Sequence, residues 1–199
     1  VENPWFTQEN IRFCFKNWKD ILTEENIKNW LSEYQVSQIS KKVGLILAGN
    51  IPLVGFHDVM CVILSNHIPL IKLSSKDRLL LPFFLKKWGE FSEWNLEFQI
   101  VERLTEYDAV IATGSKNTAR YLEYYFKDAL SIIRKNRTSV AVIKGDETDE
   151  ELQLLAEDIF RYFGLGCRNV TRLLIPKDYE LSRLFENFLG FKDVINHHK

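Results

Sequence analysis

Cysteine and methionine are scarce in this chain, and it carries no glycine-rich phosphate signature. Three cysteines, Cys14, Cys61 and Cys167, lie far apart among 199 residues. An odd, scattered set predicts reduced thiols and a cytoplasmic setting rather than a disulfide framework. No GxGxxG and no P-loop pattern occurs, which leaves the standard dinucleotide fingerprint and the P-loop unsupported. HExxH and paired-cysteine zinc spacings are also missing, so no metal site is expected. His197 and His198 sit at the end of the chain and read as tail residues. No apolar run approaches the roughly 20 residues of a membrane helix, so no membrane span is expected. Neither sign of charge dominates: 26 basic and 27 acidic residues leave a net charge of −1. That balance offers no basic field for nucleic acid and no acidic tail. Asn3, Glu9, Lys16, Asp20 and Glu24 interrupt the opening stretch, which predicts no signal peptide. Met60 is the one methionine and the chain starts at Val1. From that start, the expectation is a trimmed or excised piece of a longer protein.

What is present is apolar and aromatic material, 46% and 13% of the residues. That is enough for one packed core, with room for two lobes. Val43 to Asp77 organises the rest. An apolar run, Val43 to Ala48, ends in Gly49-Asn50-Ile51-Pro52. A helix-like stretch from Gly55 to Asn66 follows, with Val59, Val62 and Ile63 inward and Cys61 packed beside them. A second apolar run, Ile68 to Leu73, carries Lys72 near its end. Before this unit, Thr7 and Thr23 cap two peripheral helices. Cys14 reads as a small core residue in the first of them. After it come a helix from Asp77 to Trp88, kinked or delayed by Pro82, a strand at Leu96 to Val101 and another at Ala109 to Ala112. Thr113-Gly114-Ser115 then leads into a helix, Asn117 to Asp128. Arg134, Lys135 and Arg137 read as a solvated connector. Ser139 to Ile143 is a fifth strand, and Asp146 and Thr148 start a long helix that runs to Phe163 and stops at Gly164-Leu165-Gly166. Cys167, a strand at Arg172 to Ile175 and a helix at Asp178 to Leu189 complete the chain. Alternation of strand and helix predicts an α/β fold, a largely parallel open sheet covered by helices on both faces. Residues 1–135 form the N-terminal helices and a first lobe. Residues 136–199 form part of a second.

Several polar residues fall where strands end, and ligands of open α/β sheets bind there. Asn50 can offer a side-chain N–H to a developing oxyanion, or simply shape the turn beside Gly49. Lys72 is an ammonium in an apolar strand, so it either snorkels outward or meets an anionic or polyhydroxylated ligand. Ser74 or Ser75 is expected to cap the next helix. Gly114 and Ser115 lie at a strand-to-helix junction, where backbone N–H groups favour phosphate. His57, beside Asp58, reads as a capping or surface group rather than a catalyst. Cys167 follows two glycines and precedes Arg168. A loop thiol fits that setting better than a core cysteine, and a neighbouring cation favours the reactive thiolate.

Four stretches taken in order, AGNIPLVGF, PLIKLSSKD, ATGSKNTARYLEYYF and FGLGCRNVTRLLIP, resemble the acyl-CoA reductase branch of the aldehyde dehydrogenase superfamily. That branch includes the fatty acyl-CoA reductases of bacterial bioluminescence. The resemblance spans Val43 to Pro176. It implies an aldehyde-dehydrogenase-like cofactor lobe followed by part of a catalytic lobe. It further implies reduction of a long-chain acyl-CoA to aldehyde through a cysteine thioester. Cys167 would be the nucleophile and Asn50 an oxyanion donor. Lys72 and Ser75 would hold the adenosine ribose, with Gly114 and Ser115 against the pyrophosphate. Oxidising relatives carry a Glu before Gly-Gly-Lys as the base for hydrolysis. Here the corresponding segment is IIRKNRTSVAVI, without a carboxylate. They also have Glu where Ser75 stands, so NADPH is favoured at least as much as NADH. Family members continue well beyond the cysteine, so the isolated chain is expected to be poorly active. Exposed apolar surface could support a homo-oligomer, and bioluminescence relatives use an acyl-transfer partner protein. The competing possibilities are an acid-forming aldehyde dehydrogenase and a non-catalytic nucleotide-binding module.

Overall fold

A computed structural model of the chain describes residues 3–92 and 96–197. His198 lies outside them. The chain folds as two units, Val1–Lys135 and Asn136–Lys199.

In the first unit, helices α1 (Gln8–Ile21) and α2 (Glu24–Ser32) start at Thr7 and Thr23, whose side chains accept from Asn10 N and Asn26 N. Five strands follow: β1 (Lys42–Ile46), β2 (Ile68–Lys72), β3 (Gln99–Ile100), β4 (Ala109–Gly114) and β5 (Leu130–Lys135). Helices α3 (Phe56–Leu64), α4 (Leu80–Phe91) and α5 (Lys116–Tyr125) connect them. The sheet order is β3-β2-β1-β4-β5, and every pairing is parallel. β1 is therefore central, and the order reverses between β1 and β4. Because such crossovers are right-handed, α3 and α5 cover opposite faces.

Three details follow from local chemistry. Pro69 is buried within β2, yet the ladder tolerates it. Ile68 N donates to Lys41 O and Val101 N donates to Ile71 O, so odd-numbered residues of β2 face β3. β3 pairs only from Leu70 onward, so the N–H that proline lacks has no strand to meet. Pro82 falls in the first turn of α4, where its missing N–H breaks no helical bond. Phe56, 1% exposed, collects edge-on contacts from Trp18, Phe84 and Trp88 at centroid distances of 4.8, 4.7 and 5.6 Å. Those contacts bind α1 and α4 to α3. On the α5 side, Val110, Ala112 and Phe126 form a second core cluster.

In the second unit, β6 (Ser139–Val142) and β7 (Val170–Leu174) pair in parallel across α6 (Asp149–Phe160). α7 (Leu181–Phe188) follows, and Ile143, Leu152 and Leu184 form the core. Thr148 and Glu151 make a reciprocal cap at the head of α6.

The structure corrects five expectations. Arg134 and Lys135 are not connector residues but the end of β5. The helix expected to reach Phe163 ends at Phe160, because Tyr162 and Phe163 adopt left-handed φ values of 57° and 58°. Neither Ser74 nor Ser75 caps α4: Asp77 Oδ1 accepts from Leu80 N and Leu81 N at 3.1 and 3.3 Å. Cys61 is only partly buried, with its sulfur beside His57 rather than in the core. His197 is not a loose tail residue but stacks on Phe163 at 4.0 Å. Among the described residues no helix is long and apolar enough to cross a membrane.

Candidate active site

Asn50, Lys72, Ser75, Gly114 and Ser115 all follow or end parallel strands, at one edge of the first unit's sheet. β1 and β4, which flank the order reversal, deliver Asn50, Gly114 and Ser115. β2 delivers Lys72 and Ser75. This is the edge at which open α/β sheets receive ligands.

The turn carrying Asn50 is fixed from several directions. Asn3, 5% exposed, donates from Nδ2 to Gly49 O at 3.2 Å and to Lys76 O at 3.0 Å, tying the β1 turn to the β2 turn. The Cys14 thiol donates to Pro52 O at 3.3 Å. Gly49 lies so close to the β2 turn that a Cβ there would stand 2.8 Å from Ser74 Cβ and Oγ. Only glycine permits that approach.

Lys72 Nζ donates to Glu102 O at 2.7 Å. That contact occupies one of the three N–H donors of an ammonium. Ser115 caps α5, its Oγ accepting from Thr118 N at 3.2 Å. Gly114 lets α5 pack close: a Cβ there would meet Thr118 Cβ and Cγ2 at 3.0 Å. A helix start of this kind presents outward-pointing N–H groups and the positive end of the helix dipole. A pocket of about 410 Å³ also opens beside the β2 turn, with Phe6, Ile11, Leu79, Leu80 and Phe83 in its walls. None of the six candidate residues lines it.

Across the same sheet edge, Arg134 of β5 donates through Nη1 to Asp58 Oδ1, 76 residues away in sequence. The Asp58 side chain is 4% exposed and the Arg134 side chain 44%. His57 Nδ1 lies 3.5 Å from the same carboxylate oxygen. The bond to Asp58, then the contact with Cys61, raise the His57 pKa to about 9 against the opposing effect of burial.

Cys167 belongs to the second unit and is exposed. It occupies the first of the two central positions of a turn closed by Asn169 N donating to Gly166 O at 3.1 Å. Asn169 organises that turn. Its Oδ1 accepts from Gly166 N at 2.8 Å, and its Nδ2 donates to the carbonyls of Asp158, Ile159 and Arg161 at 2.9, 3.3 and 3.0 Å. These carbonyls close α6, so one amide caps the helix and anchors the cysteine turn together. The left-handed residues Tyr162, Phe163 and Gly164 lead into it. For the two aromatic residues that conformation is strained.

Asn3, Asp77, Arg134 paired with Asp58, and Asn169 are the site-shaping residues that periodicity misses. Asp77 was discoverable, since Asp is among the residues whose side chain accepts from backbone N–H groups at the head of a helix. The others act over distances that local patterns do not report. No group of three or more metal-ligating side chains occurs among the described residues.

The fold defines a class: a mostly parallel α/β sheet flanked by helices, as in aldehyde dehydrogenases. Solved structures agree. Aldehyde dehydrogenase C of Pseudomonas syringae, a cysteine-to-alanine variant complexed with NAD+ and octanal, is 14% identical with a TM-score of 0.65 over 82% of this chain. KauB of Pseudomonas aeruginosa is 18% identical with a TM-score of 0.63 over 75% of this chain. AldA of P. syringae, an indole-3-acetaldehyde dehydrogenase variant complexed with NAD+ and IAA, is 16% identical with a TM-score of 0.60 over 75%. This chain spans 39%, 34% and 34% of those three chains. Curated proteins give no match. The family model for acyl-CoA reductase (LuxC) matches residues 17–183, and the chain belongs to that family.

Proposed function

We propose that the protein is an NAD(P)H-dependent acyl-CoA reductase that forms aldehyde through a thioester on Cys167. The observation that carries this is the convergence of Lys72, Ser75, Gly114 and Ser115 on one sheet edge, in a chain of the acyl-CoA reductase family. A nicotinamide dinucleotide fits the groups present. Lys72 and Ser75 would hold the ribose hydroxyls. The open start of α5, with Gly114 and Ser115, would receive the pyrophosphate. Ser75 adds no negative charge against a 2′-phosphate, which favours NADPH while leaving NADH usable. When bound, the cofactor supplies the hydride.

Cys167 attacks the acyl-CoA thioester carbonyl and CoA leaves as a thiol, so one thioester replaces another at nearly balanced free energy. The oxyanion formed on attack needs donors, and the Asn50 amide would provide one. Losing such a donor typically costs about 3 kcal/mol. Arg134 supports reduction over hydrolysis. The segment that holds the hydrolytic Glu in oxidising relatives has here a guanidinium bound to Asp58. A guanidinium takes no proton from water. The acyl-enzyme therefore survives until it is reduced.

The test is intact-mass spectrometry of the protein at its natural length, incubated with a long-chain acyl-CoA and no nicotinamide. One acyl adduct, mapped to Cys167 and cleared by NADPH with aldehyde release, is expected. A folded protein that forms no adduct would overturn the proposal and leave a nucleotide-binding module.

A further inference from the structure

Helix α3 carries a thiol that the proposed chemistry does not use. Its inward face is Val59, Met60 and Val62, all buried. His57 and Cys61, one turn apart, share the outer face. Cys61 Sγ lies 3.7 Å from His57 Nδ1 and 3.8 Å from Nε2. The His57 side chain is 53% exposed, and the buried Asp58 holds it from beneath at 3.5 Å. Asp58 is itself fixed by Arg134 of β5. With its pKa raised to about 9, His57 is a cation at neutral pH. The other two cysteines stand differently. Cys14 is buried with its thiol on Pro52 O, and Cys167 tips a loop of the second unit.

We propose that Cys61 is a site of reversible S-thiolation by anionic low-molecular-mass disulfides, with His57 as the cation that receives them. Cys61 gives up its proton and its sulfur attacks one sulfur of the disulfide. The new S–S bond forms as the old one breaks, and the departing thiolate takes up a proton. Cys61 is oxidised to a mixed disulfide, and the other half of the reagent is reduced to a free thiol. Exchange with a second thiol reverses the step. The partly open sulfur gives access, and His57 with the half-exposed Arg134 gives the anionic preference. Asp58, the one carboxylate in the cluster, is turned inward.

The test compares glutathione disulfide, an anion, with cystamine, a dication, on the whole protein, with adducts at each cysteine quantified by peptide mapping. The ratio of the two rates at Cys61 should fall by more than about fivefold in His57→Gln. One pair of unit charges at contact distance in water changes a single rate about fivefold, and the anion's attraction and the dication's repulsion are lost together. His57→Lys should preserve it. In the unaltered protein, added salt should slow glutathione disulfide and speed cystamine at Cys61. That arm needs no variant. Cys14, being buried, reports unfolding if it becomes modified. A Cys61 that stays unmodified, or a rate ratio indifferent to both salt and His57→Gln, would overturn the proposal.

Discussion

Replacing Arg134 by alanine leaves the Asp58 carboxylate with His57 as its remaining cation in the cluster. The Asp58 side chain is 4% exposed, so its charge is largely withdrawn from water. Breaking a fully buried pair costs about 3–5 kcal/mol, whereas an exposed pair contributes about 0.2–1 kcal/mol. Arg134 is 44% exposed, and its removal opens a path for water to reach the carboxylate. The expected cost therefore lies between the two, at about 2 kcal/mol. The next residue supplies the control. Lys135 pairs with Glu123 at 2.6 Å, but both side chains are close to half exposed, at 48% and 46%. Lys135→Ala should cost about 0.5 kcal/mol or less. All five tryptophans precede Asn136, so fluorescence in urea follows the first unit. The two alanine variants should differ in midpoint with unchanged slope. Equal costs would refute the claim that Asp58 depends on Arg134. A second check is Asp58→Asn with Arg134→Ala, which should destabilise less than the two single changes summed.

Other consequences are as direct. The folded His57 pKa of about 9 exceeds its ordinary 6.5. Its stabilisation is thus complete below about pH 6.5 and lost as pH rises through about 9, and thermal melts of His57→Gln should lack that decline. Cys167→Ala should abolish acylation in the protein at its natural length and leave NADPH affinity nearly unchanged, as judged by adduct mass and fluorescence titration. Asn169→Ala removes both the cap of α6 and the tether of the cysteine turn; a loss of about 1–2 kcal/mol is expected. Acylation should slow at temperatures where the fold persists. Gly49→Ala forces Ser74 away and should cost about 1–3 kcal/mol in urea melts.

Where the determinants are local, the sequence reports them well. Thr7, Thr23 and Thr148 announce three helix starts because a cap acts within three residues. The runs at Val43 and Ile68 announce buried parallel strands because both their faces are covered. β5 was hidden because its apolar residues run into Arg134 and Lys135, which by composition suggest solvent. Both are satisfied across the fold, Arg134 by Asp58 on α3 and Lys135 by Glu123 on α5. The early end of α6 was hidden for another reason. Tyr and Phe carry no signal for left-handed backbone, so only Gly164 marked the turn. Of the candidate site, the polar residues were legible by their place at the ends of strands. Asn3 and Asn169, which fix the turns those residues sit in, carry no pattern that separates them from ordinary surface amides.

The central strand of the sheet is also the first one made. β1 pairs with β2 about 26 residues later, as Lys42 with Ile68, and with β4 about 66 residues later, as Val43 with Ala109. During synthesis, therefore, β1 waits with one flank bare until β4 has left the ribosome. Its residues Val43 to Leu45 are almost wholly apolar, so that interval exposes an edge prone to pairing with other chains. Slow codons or chaperone capture would matter most after β2 has emerged from the ribosome and before β4 has. A nascent chain stalled there should aggregate more readily than one stalled after β4.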